Sequence, residues 1–244
     1  MDFYDYACAT SFQITKKKRD EIKILLRDNI SFPILGKDEI GYVVCLAKPK
    51  RIHDDHISLQ GMLFDSKDPE HRKIIWRLFK ASIYHLNLHA AFSDFEVYAD
   101  WAKDKHINLA TYVVSTLEDA VVNAYLRKLW SPLILDIAYA NAIAHLRLKP
   151  ASLIPDDTLQ VMTSTLSSFT TGMTKGKLSD EMQKDVDDLT FFLREMENLT
   201  YKELLKESKS KNKKINSDGF IAKKISFAEK MYERLSRYGE PSEV

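Results

Sequence analysis

Two histidines one helical turn apart are the residues of this sequence best suited to metal chemistry. His85 and His89 occur in the run YHLNLHAAF, inside a segment that is predicted to be helical. Imidazoles at positions i and i+4 project from the same helix face and can reach one metal ion. Zinc hydrolases of the HExxH type place a glutamate directly after the first histidine as general base, whereas Leu86 stands there in this chain. The pair therefore offers ligands without the base of that reaction.

Further ligands can come from two long apolar segments downstream. Glu118 and Asp119 are adjacent acids within the first segment, and His145 is one of few polar side chains in the second. Dimetal carboxylate proteins repeat a Glu-x-x-His pair, but the position three residues after Glu118 holds a valine. The candidate ligands of a transition metal are His85, His89, Glu118 and His145.

A structural role is the second interpretation of these polar groups, and we favour it. Glu118 has valines one helical turn away, so its charge needs a partner or a raised pKa. Buried polar residues of this kind commonly fix the register of packed helices. The expected partners are Arg127, Lys128, His145 and Arg147.

Other chemical signatures are not found in the sequence. It has no GxxxxGK[ST] loop, no GxGxxG turn and no GxSxG elbow, so the usual nucleotide cradles and the serine hydrolase geometry are unsupported. The run HDDH at 53–56 has the residue types of metal ligands in an unrecognised spacing, and we interpret it as part of a solvated loop. Cys8 and Cys45 lie in apolar settings outside any CxxC pair, which is typical of free thiols in a reducing compartment.

The elements that must position the candidate residues are predicted to be helices. Residues 107–130 and 132–149 are apolar nearly all round, and the two adjacent acids in the first argue against a membrane span. We expect a central buried pair, with a helix over 69–93, capped by Asp68, packed against it. Further helices are predicted over 156–169, 179–205 and 218–238.

The N-terminal quarter is expected to be helical or irregular. Residues 16–28 place apolar side chains at helical spacing beneath many charges. Residues 40–47 favour a short helix, although Val43-Val44-Cys45 would also suit a strand. Residues 51–68 show no sustained period and are predicted to be a long ordered loop. The predicted fold class is therefore all-α, a multi-helix bundle around two long buried central helices.

Three regions are expected along the chain. Residues 1–205 form the helical bundle domain, residues 206–217 a basic flexible linker, and residues 218–244 a C-terminal amphipathic helix and tail. The apolar face of that last helix is expected to dock on the bundle or on a protein partner. The candidate partner-binding residues are Phe220, Ile221, Ile225, Tyr232 and Leu235.

Composition excludes several classes of function. The 36 lysines and arginines nearly balance 35 acids, so the chain lacks the global positive field of a dedicated nucleic-acid binder. The start, MDFYDYACATSF, has acids where a signal peptide needs basic residues. We expect a cytoplasmic protein without a membrane segment, and the composition leaves its oligomeric state open.

The central region resembles a known family. The run HLNLHAAFSDFEVYADW, then LATYVVSTLEDAVVNAYLRKLW and the apolar segment after it, is similar to the helical N-terminal region of NorD/CbbO-type proteins. The most specific element is Leu117-Glu118-Asp119, which resembles the LEDAR segment of that family, although Val121 replaces its arginine. The resemblance covers residues 70–200, and the von Willebrand A domain that usually follows, with its DxSxS motif, is not found here.

The resemblance implies a function, because members of that family act with MoxR-type AAA+ ATPases in maturing or reactivating metal-dependent enzymes. We therefore expect a non-catalytic helical interaction module, an adaptor for such an ATPase in the maturation or activation of a metalloenzyme, with no cofactor of its own. The alternative is a metal-dependent helical enzyme that binds a transition metal at His85, His89, Glu118 and His145.

Overall fold

The computed structural model describes residues 2–39, 41–53, 55–206 and 214–241. These residues are mostly helical (65%) but also form two small three-stranded sheets. The chain divides into two compact units, Met1–Ala91 with Pro132–Ala140 and Phe92–Ser131 with Asn141–Val244. The fold class is therefore α+β, and the prediction of an all-α bundle is wrong.

The first unit opens with a helix and a mixed sheet. The elements are α1 (Phe3–Thr15), β1 (Ile22–Arg27), β2 (Ile34–Lys37) and β3 (Tyr42–Ala47). Strand β3 is central, parallel to β1 and antiparallel to β2. Ile22 and Ile24 are buried while Lys23 is exposed, so the side chains alternate with a period of two. The prediction of a helix over 16–28 is wrong. The apolar residues here are flanked by many charged ones, and this mixture fits the surface of a helix as well as an alternating strand.

Strand β3 also replaces the short helix favoured over 40–47, so the strand alternative was the better one. Gly41 permits the start of this strand to lie against the chain before β1. A Cβ atom added at Gly41 would stand 2.1 Å from the carbonyl oxygen of Glu21. The next backbone N–H, that of Tyr42, donates to the same carbonyl at 2.9 Å. Only glycine fits this close approach without displacing the backbone.

The second sheet occupies the segment that was predicted to be a long loop. Its strands are β4 (Lys50–His53), β5 (His56–Leu59) and β6 (Met62–Asp65), which pair as an antiparallel meander. Gln60 and Gly61 join β5 to β6, and both have positive φ angles, 52° and 72°. Two such residues form a primed hairpin turn. The prediction failed because Gln-Gly is a weaker hairpin signal than Asn-Gly or Asp-Gly, and because each strand has only four residues.

Helix α2 (Pro69–Phe92) confirms the helix predicted over 69–93. The Asp68 carboxylate accepts a hydrogen bond from the Glu70 backbone N–H at 2.8 Å, as expected of a cap. Within the first unit, the Trp76 ring of α2 stacks on Phe3 of α1 with centroids 4.3 Å apart. The Tyr84 and Tyr6 hydroxyls lie 2.6 Å apart. These contacts attach α1 to the stretch of α2 between Trp76 and Tyr84.

The second unit is helical in its described part. After a short 3-10 turn (Phe95–Tyr98), its helices are α3 (Ala99–Ala102), α4 (Ile107–Leu129), the C-terminal half of α5 (Ile134–Arg147), α6 (Asp157–Thr171), α7 (Asp180–Lys206) and α8 (Asp218–Leu235). Helix α4 packs against α7 and α8, and α7 also packs against α6. Val113, Leu117 and Ala120 of α4 are completely buried. The first of the two predicted central helices is thus confirmed.

The second predicted central helix is not buried. Of the 14 residues of α5, only Ile137 is buried, and the side chains of Leu135 and Leu146 are 71% and 69% exposed. Much of its apolar character comes from four alanines at 138, 140, 142 and 144. Alanine has the highest helix propensity and the smallest apolar area to bury. Apolar composition here indicated helix formation rather than an interior location.

The predicted linker lies largely outside the described residues. Helix α7 extends to Lys206, and residues 207–213 are among those the structure does not describe. From residue 214 the chain is described again. Ile215 is buried, and its backbone N–H donates to the Tyr125 hydroxyl at 2.9 Å. Ser217 then caps α8, so the end of the predicted linker is attached to the second unit.

Candidate functional site

His85 and His89 lie side by side on α2. Their Nε2 atoms are 3.2 Å apart, and the rings meet edge to face with centroids 4.6 Å apart. His89 is buried and His85 is half-buried. At this separation one nitrogen donates a hydrogen to the other, or both present lone pairs to a shared cation. The pair supplies two of the four ligands that a closed zinc site requires.

Glu118 lies at the centre of the second unit, where its side chain has no exposed surface. Its Oε1 atom accepts from the Lys224 ammonium at 2.6 Å and from the Tyr98 hydroxyl at 3.0 Å. Its Oε2 atom accepts from the backbone N–H of Asp94 at 3.2 Å. Three donors from separate parts of the unit therefore converge on one carboxylate on α4. We call Glu118, Lys224 and Tyr98 the buried cluster.

Lys224 was not among the partners predicted for Glu118. It lies on the buried face of α8 with only 3% of its side chain exposed, between Phe220 and Ala228. Its ammonium lies 5.4 Å from the centre of the Phe220 ring, a cation–π distance. The available signal was the spacing, because positions 220, 224 and 228 share one helix face. A lysine in that row indicates a buried charge that needs an acid.

The buried cluster holds its charges in fixed places. Burial and the neighbouring charge of Glu118 raise the pKa of Tyr98 far above its ordinary value, so its hydroxyl stays protonated and donates. Glu118 has about four lone-pair positions, and three of them receive hydrogen bonds. The arrangement couples α8 to α4 and to the turn before α3. Its chemistry is that of a structural ion pair.

His145 has a different partner. Its Nδ1 atom lies 2.6 Å from the hydroxyl oxygen of Ser167, which in turn donates to the Met173 carbonyl at 2.7 Å. Because the hydroxyl hydrogen is used on Met173, Nδ1 of His145 carries the hydrogen that Ser167 accepts. These two hydrogen bonds fix the C-terminal end of α5 against α6. Glu118 and His145 thus have separate partners within the second unit.

The residues predicted to bind a partner through α8 contribute to packing within the second unit. Phe220 and Leu235 are buried, and Tyr232 accepts a hydrogen bond from the backbone N–H of His106 at 2.9 Å. Ile221 and Ile225 are half-buried. Helix α8 packs against α4 and α7. Of the two docking alternatives for this helix, the structure has the one on its own bundle.

Two salt bridges reinforce that docking. The Arg234 guanidinium lies 2.7 Å from both Asp185 and Asp188 of α7. The Tyr238 hydroxyl donates to Asp185 at 2.7 Å. Asp185 is nearly completely buried, so its charge is compensated where it has lost water. The C-terminal helix is therefore held at two points, by the buried cluster through Lys224 and by Asp185 through Arg234.

A surface on α5 was not predicted from the sequence. Leu135, Ala138, Ala142 and Leu146 are all exposed. Steps of three and four residues place them on a single stripe along the helix, which we call the α5 face. This continuous helix begins in the first unit and ends in the second. The spacing was readable in the sequence, but the apolar residues were assigned to an interior. A contiguous apolar stripe in water is typical of an interaction site.

Comparison with known proteins does not assign the chain to a family. No protein-family model, curated protein or solved structure matches it. Among the described residues, no helix combines the length and the apolar character needed to cross a bilayer. The function must therefore be argued from the contacts and the exposed surfaces of the chain itself.

Proposed function

We propose that this chain is a non-catalytic interaction module that acts as an adaptor for a MoxR-type AAA+ ATPase. The observation that carries the interaction role is the α5 face. Its two leucines, Leu135 and Leu146, are each about 70% exposed on a regular helix. Covering a leucine side chain is worth about 1.5 to 3 kcal/mol, so a protein that packs on this face gains free energy.

The buried charges of the second unit support a non-catalytic role. Among the described residues, the buried acids are Glu118, Asp185 and Glu197. Each has a basic partner within 2.8 Å: Glu118 has Lys224, Asp185 has Arg234, and Glu197 has Arg127. A general acid or base must exchange its proton with a substrate. Carboxylates held by ion pairs inside a helical bundle are better suited to fixing the packing of α4, α7 and α8.

The choice of an AAA+ ATPase rests on the resemblance to NorD/CbbO-type proteins. Its most specific element, Leu117-Glu118-Asp119, lies in the middle of α4. Glu118 anchors α8 there. The position of Glu118 in the Leu-Glu-Asp element therefore has a physical role, the anchoring of a neighbouring helix, that any protein with the same helix packing would need. The family resemblance then supplies the partner class, which the contacts of this chain leave open.

Direct binding tests the adaptor role. The full chain is immobilised, and a purified MoxR-type ATPase from the same organism is titrated by biolayer interferometry with ATP or with ADP. We expect saturable binding that differs between the two nucleotides, because adaptors of ATPases respond to the nucleotide state. An AAA+ ATPase of another class is the matched control. Equal signals from both ATPases, or no signal from either, would remove the adaptor proposal.

A metal-dependent enzyme is the second candidate, and the contact between His85 and His89 is the observation that favours it. Protein purified without chelators is analysed for iron, zinc and manganese. The interaction module predicts a substoichiometric content that His85→Ala and His89→Ala leave unchanged. A stoichiometric metal that both substitutions remove, and that the control His106→Ala retains, would favour the enzyme over the adaptor, because His106 is outside the proposed ligand set and lies 3.3 Å from Glu240.

A further inference from the structure

We infer that a cleft between α1 and β1 binds an extended acidic peptide, which adds to the first sheet as a strand beside β1. We call this space the β1 cleft. Its walls include Tyr4, Cys8 and Phe12 of α1, Arg19 of the connection, and residues 22–24 of β1. None of these residues belongs to the α5 face, so the inference stands independently of the adaptor proposal.

Strand β1 has an open edge. In the described part of the chain its strand neighbour is β3 alone, which lies between β1 and β2. The N–H of Tyr42 donates to the Glu21 carbonyl at 2.9 Å, and the N–H of Lys48 donates to the Arg27 carbonyl at 2.9 Å. Alternate residues of a parallel strand direct both backbone groups to the same neighbour. The odd-numbered residues therefore bond to β3, and residues 22, 24 and 26 present their N–H and C=O groups to the open edge.

The β1 cleft runs along that open edge. Residues 22–24 are consecutive and all line it. Because successive side chains point to opposite faces of a strand, a space bordered by three in a row is bordered by the edge of the backbone. The opposite wall is one face of α1, where Tyr4, Cys8 and Phe12 follow at four-residue spacing. A groove between a helix and an open strand edge suits a peptide that binds by strand addition.

The open backbone groups specify what kind of chain can fill the cleft. Ile22 and Ile24 are only 3% and 6% exposed, so their backbone groups have little contact with bulk water. A shielded N–H or C=O gains free energy from a hydrogen-bond partner. Another extended backbone offers donors and acceptors at the same two-residue repeat of about 6.6 Å. The backbone of a helix has its own groups paired internally and cannot do this. The cleft volume of about 330 Å³ leaves room for such a segment beside α1.

Charge around the β1 cleft favours an acidic peptide. Arg19 and Lys23 line the cleft together with one acid, Asp5. The run KKKR at 16–19 places three more lysines directly before Arg19. Arg19 and Lys23 are both exposed at the rim. A positive rim attracts a segment of opposite charge and disfavours a basic one.

The two faces of β1 predict the pattern of the peptide. Side chains opposite each other on neighbouring strands share a face of the sheet. Lys23 is exposed, whereas Ile22 and Ile24 are buried on the other face. An acidic residue is therefore expected opposite Lys23, and apolar residues opposite the two isoleucines. The peptide class is one in which aspartate or glutamate alternates with apolar residues.

Fluorescence anisotropy tests the binding. The probe is a labelled peptide Asp-Val-Glu-Val-Asp-Val, titrated with the full chain to about 500 µM. We expect saturable binding, and none for a peptide with lysines in place of the acids. The double variant Arg19→Glu, Lys23→Glu should weaken binding at least about tenfold, because two attractive charges become repulsive. The matched control is Lys50→Glu, Lys184→Glu, since both lysines are exposed and neither lines the cleft. Far-UV circular dichroism confirms that both variants are folded.

Backbone methylation of the peptide tests strand addition. One peptide carries N-methyl groups on its odd-numbered amides and another on its even-numbered amides, with the same side chains. Only one of the two sets faces β1, so one peptide should lose binding and the other should keep it. Hydrogen exchange measured by NMR gives a second readout. The amides of Ile22 and Ile24 should exchange more slowly with the bound peptide, whereas that of Lys23, on the side of β3, should not change.

The outcomes decide the inference without involving the ATPase. The inference is overturned if the acidic peptide does not bind, if the lysine peptide binds equally well, or if the charge variant binds like its control. Equal binding of the two methylated peptides would also overturn it, because the contact would then not use the backbone edge. Selective loss with one methylated peptide, together with slower exchange at Ile22 and Ile24, supports it whether or not the chain binds an ATPase.

Discussion

Lys224→Met tests whether the buried cluster is a structural ion pair. The substitution keeps a chain of similar volume but removes the ammonium that lies 2.6 Å from Glu118. The carboxylate, without exposed surface, then retains only the Tyr98 hydroxyl and the Asp94 backbone N–H as donors. A buried charge with too few compensating partners is strongly unfavourable.

The expected magnitude follows from burial. Removing one partner of a buried ion pair costs about 3 to 5 kcal/mol in the free energy of unfolding. For a chain of this size, 1 kcal/mol corresponds to about 2 to 4 °C in Tm, so Lys224→Met should lower the Tm of the second unit by about 6 to 20 °C. The double variant Glu118→Gln, Lys224→Met should recover most of that loss. Replacing both charges by neutral groups of similar size is close to neutral.

Thermal and urea unfolding followed by far-UV circular dichroism measure these values. Lys223→Met is the matched control, because Lys223 is the exposed neighbour of Lys224 on α8 and should change stability by less than about 0.5 kcal/mol. The reasoning is refuted if Lys224→Met stays within about 1 kcal/mol of the unchanged protein. It is also refuted if the double variant is as unstable as the sum of the two single variants, because the pair would then have no coupling energy.

Three other results are expected. Burial and the charge of Glu118 raise the pKa of Tyr98, so the protonated hydroxyl contributes stability that is complete below the unfolded pKa of about 10 and is lost at higher pH. The urea midpoint should therefore fall less between about pH 9 and about pH 11 in Tyr98→Phe than in the unchanged protein, and an equal fall in both would contradict this. Gly41→Ala should destabilise the first sheet by about 1 to 3 kcal/mol, since its Cβ would meet a backbone carbonyl at 2.1 Å, whereas Gly36→Ala, whose nearest contact is 4.0 Å, serves as control in chemical unfolding. Trypsin should cut first within 209–214, and the C-terminal fragment should co-elute with the body in gel filtration because α8 packs against α4 and α7; a fragment that elutes alone would contradict that docking.

The long helices could be predicted from the sequence because their signals are local. Asp68-Pro69 marks the start of α2, and the 3.6-residue periodicity of α7 and α8 gives their extents to within a few residues. The strands could not, because their stability comes from pairing between distant segments. β1 and β3 are separated by β2 in sequence yet pair in parallel, and strands of four to six residues fit a helical period almost as well as an alternating one.

The site residues also divide into those that a local sequence pattern predicts and those that depend on contacts between distant segments. The contact between His85 and His89 follows from their spacing on one helix and was readable locally. The partner of Glu118 was not, because Lys224 lies 106 residues further along the chain. A local pattern identifies a buried charge that needs compensation, but only the packing of α8 on α4 decides which of the many lysines supplies it. The four proposed metal ligands therefore remain a prediction from sequence, of which the structure brings two together.

Helices α4 and α5 show why apolar composition alone does not place a helix. α4 carries leucines, valines and two tyrosines on several faces, together with a carboxylate that has a buried counter-charge, and it lies inside the second unit. α5 carries four alanines among its 14 residues, and only Ile137 of this helix is fully buried. Burying alanine contributes little free energy, so folding alone does not require α5 to be enclosed. Leu135 and Leu146, at its two ends, are the side chains of this helix that would gain the most free energy by being covered.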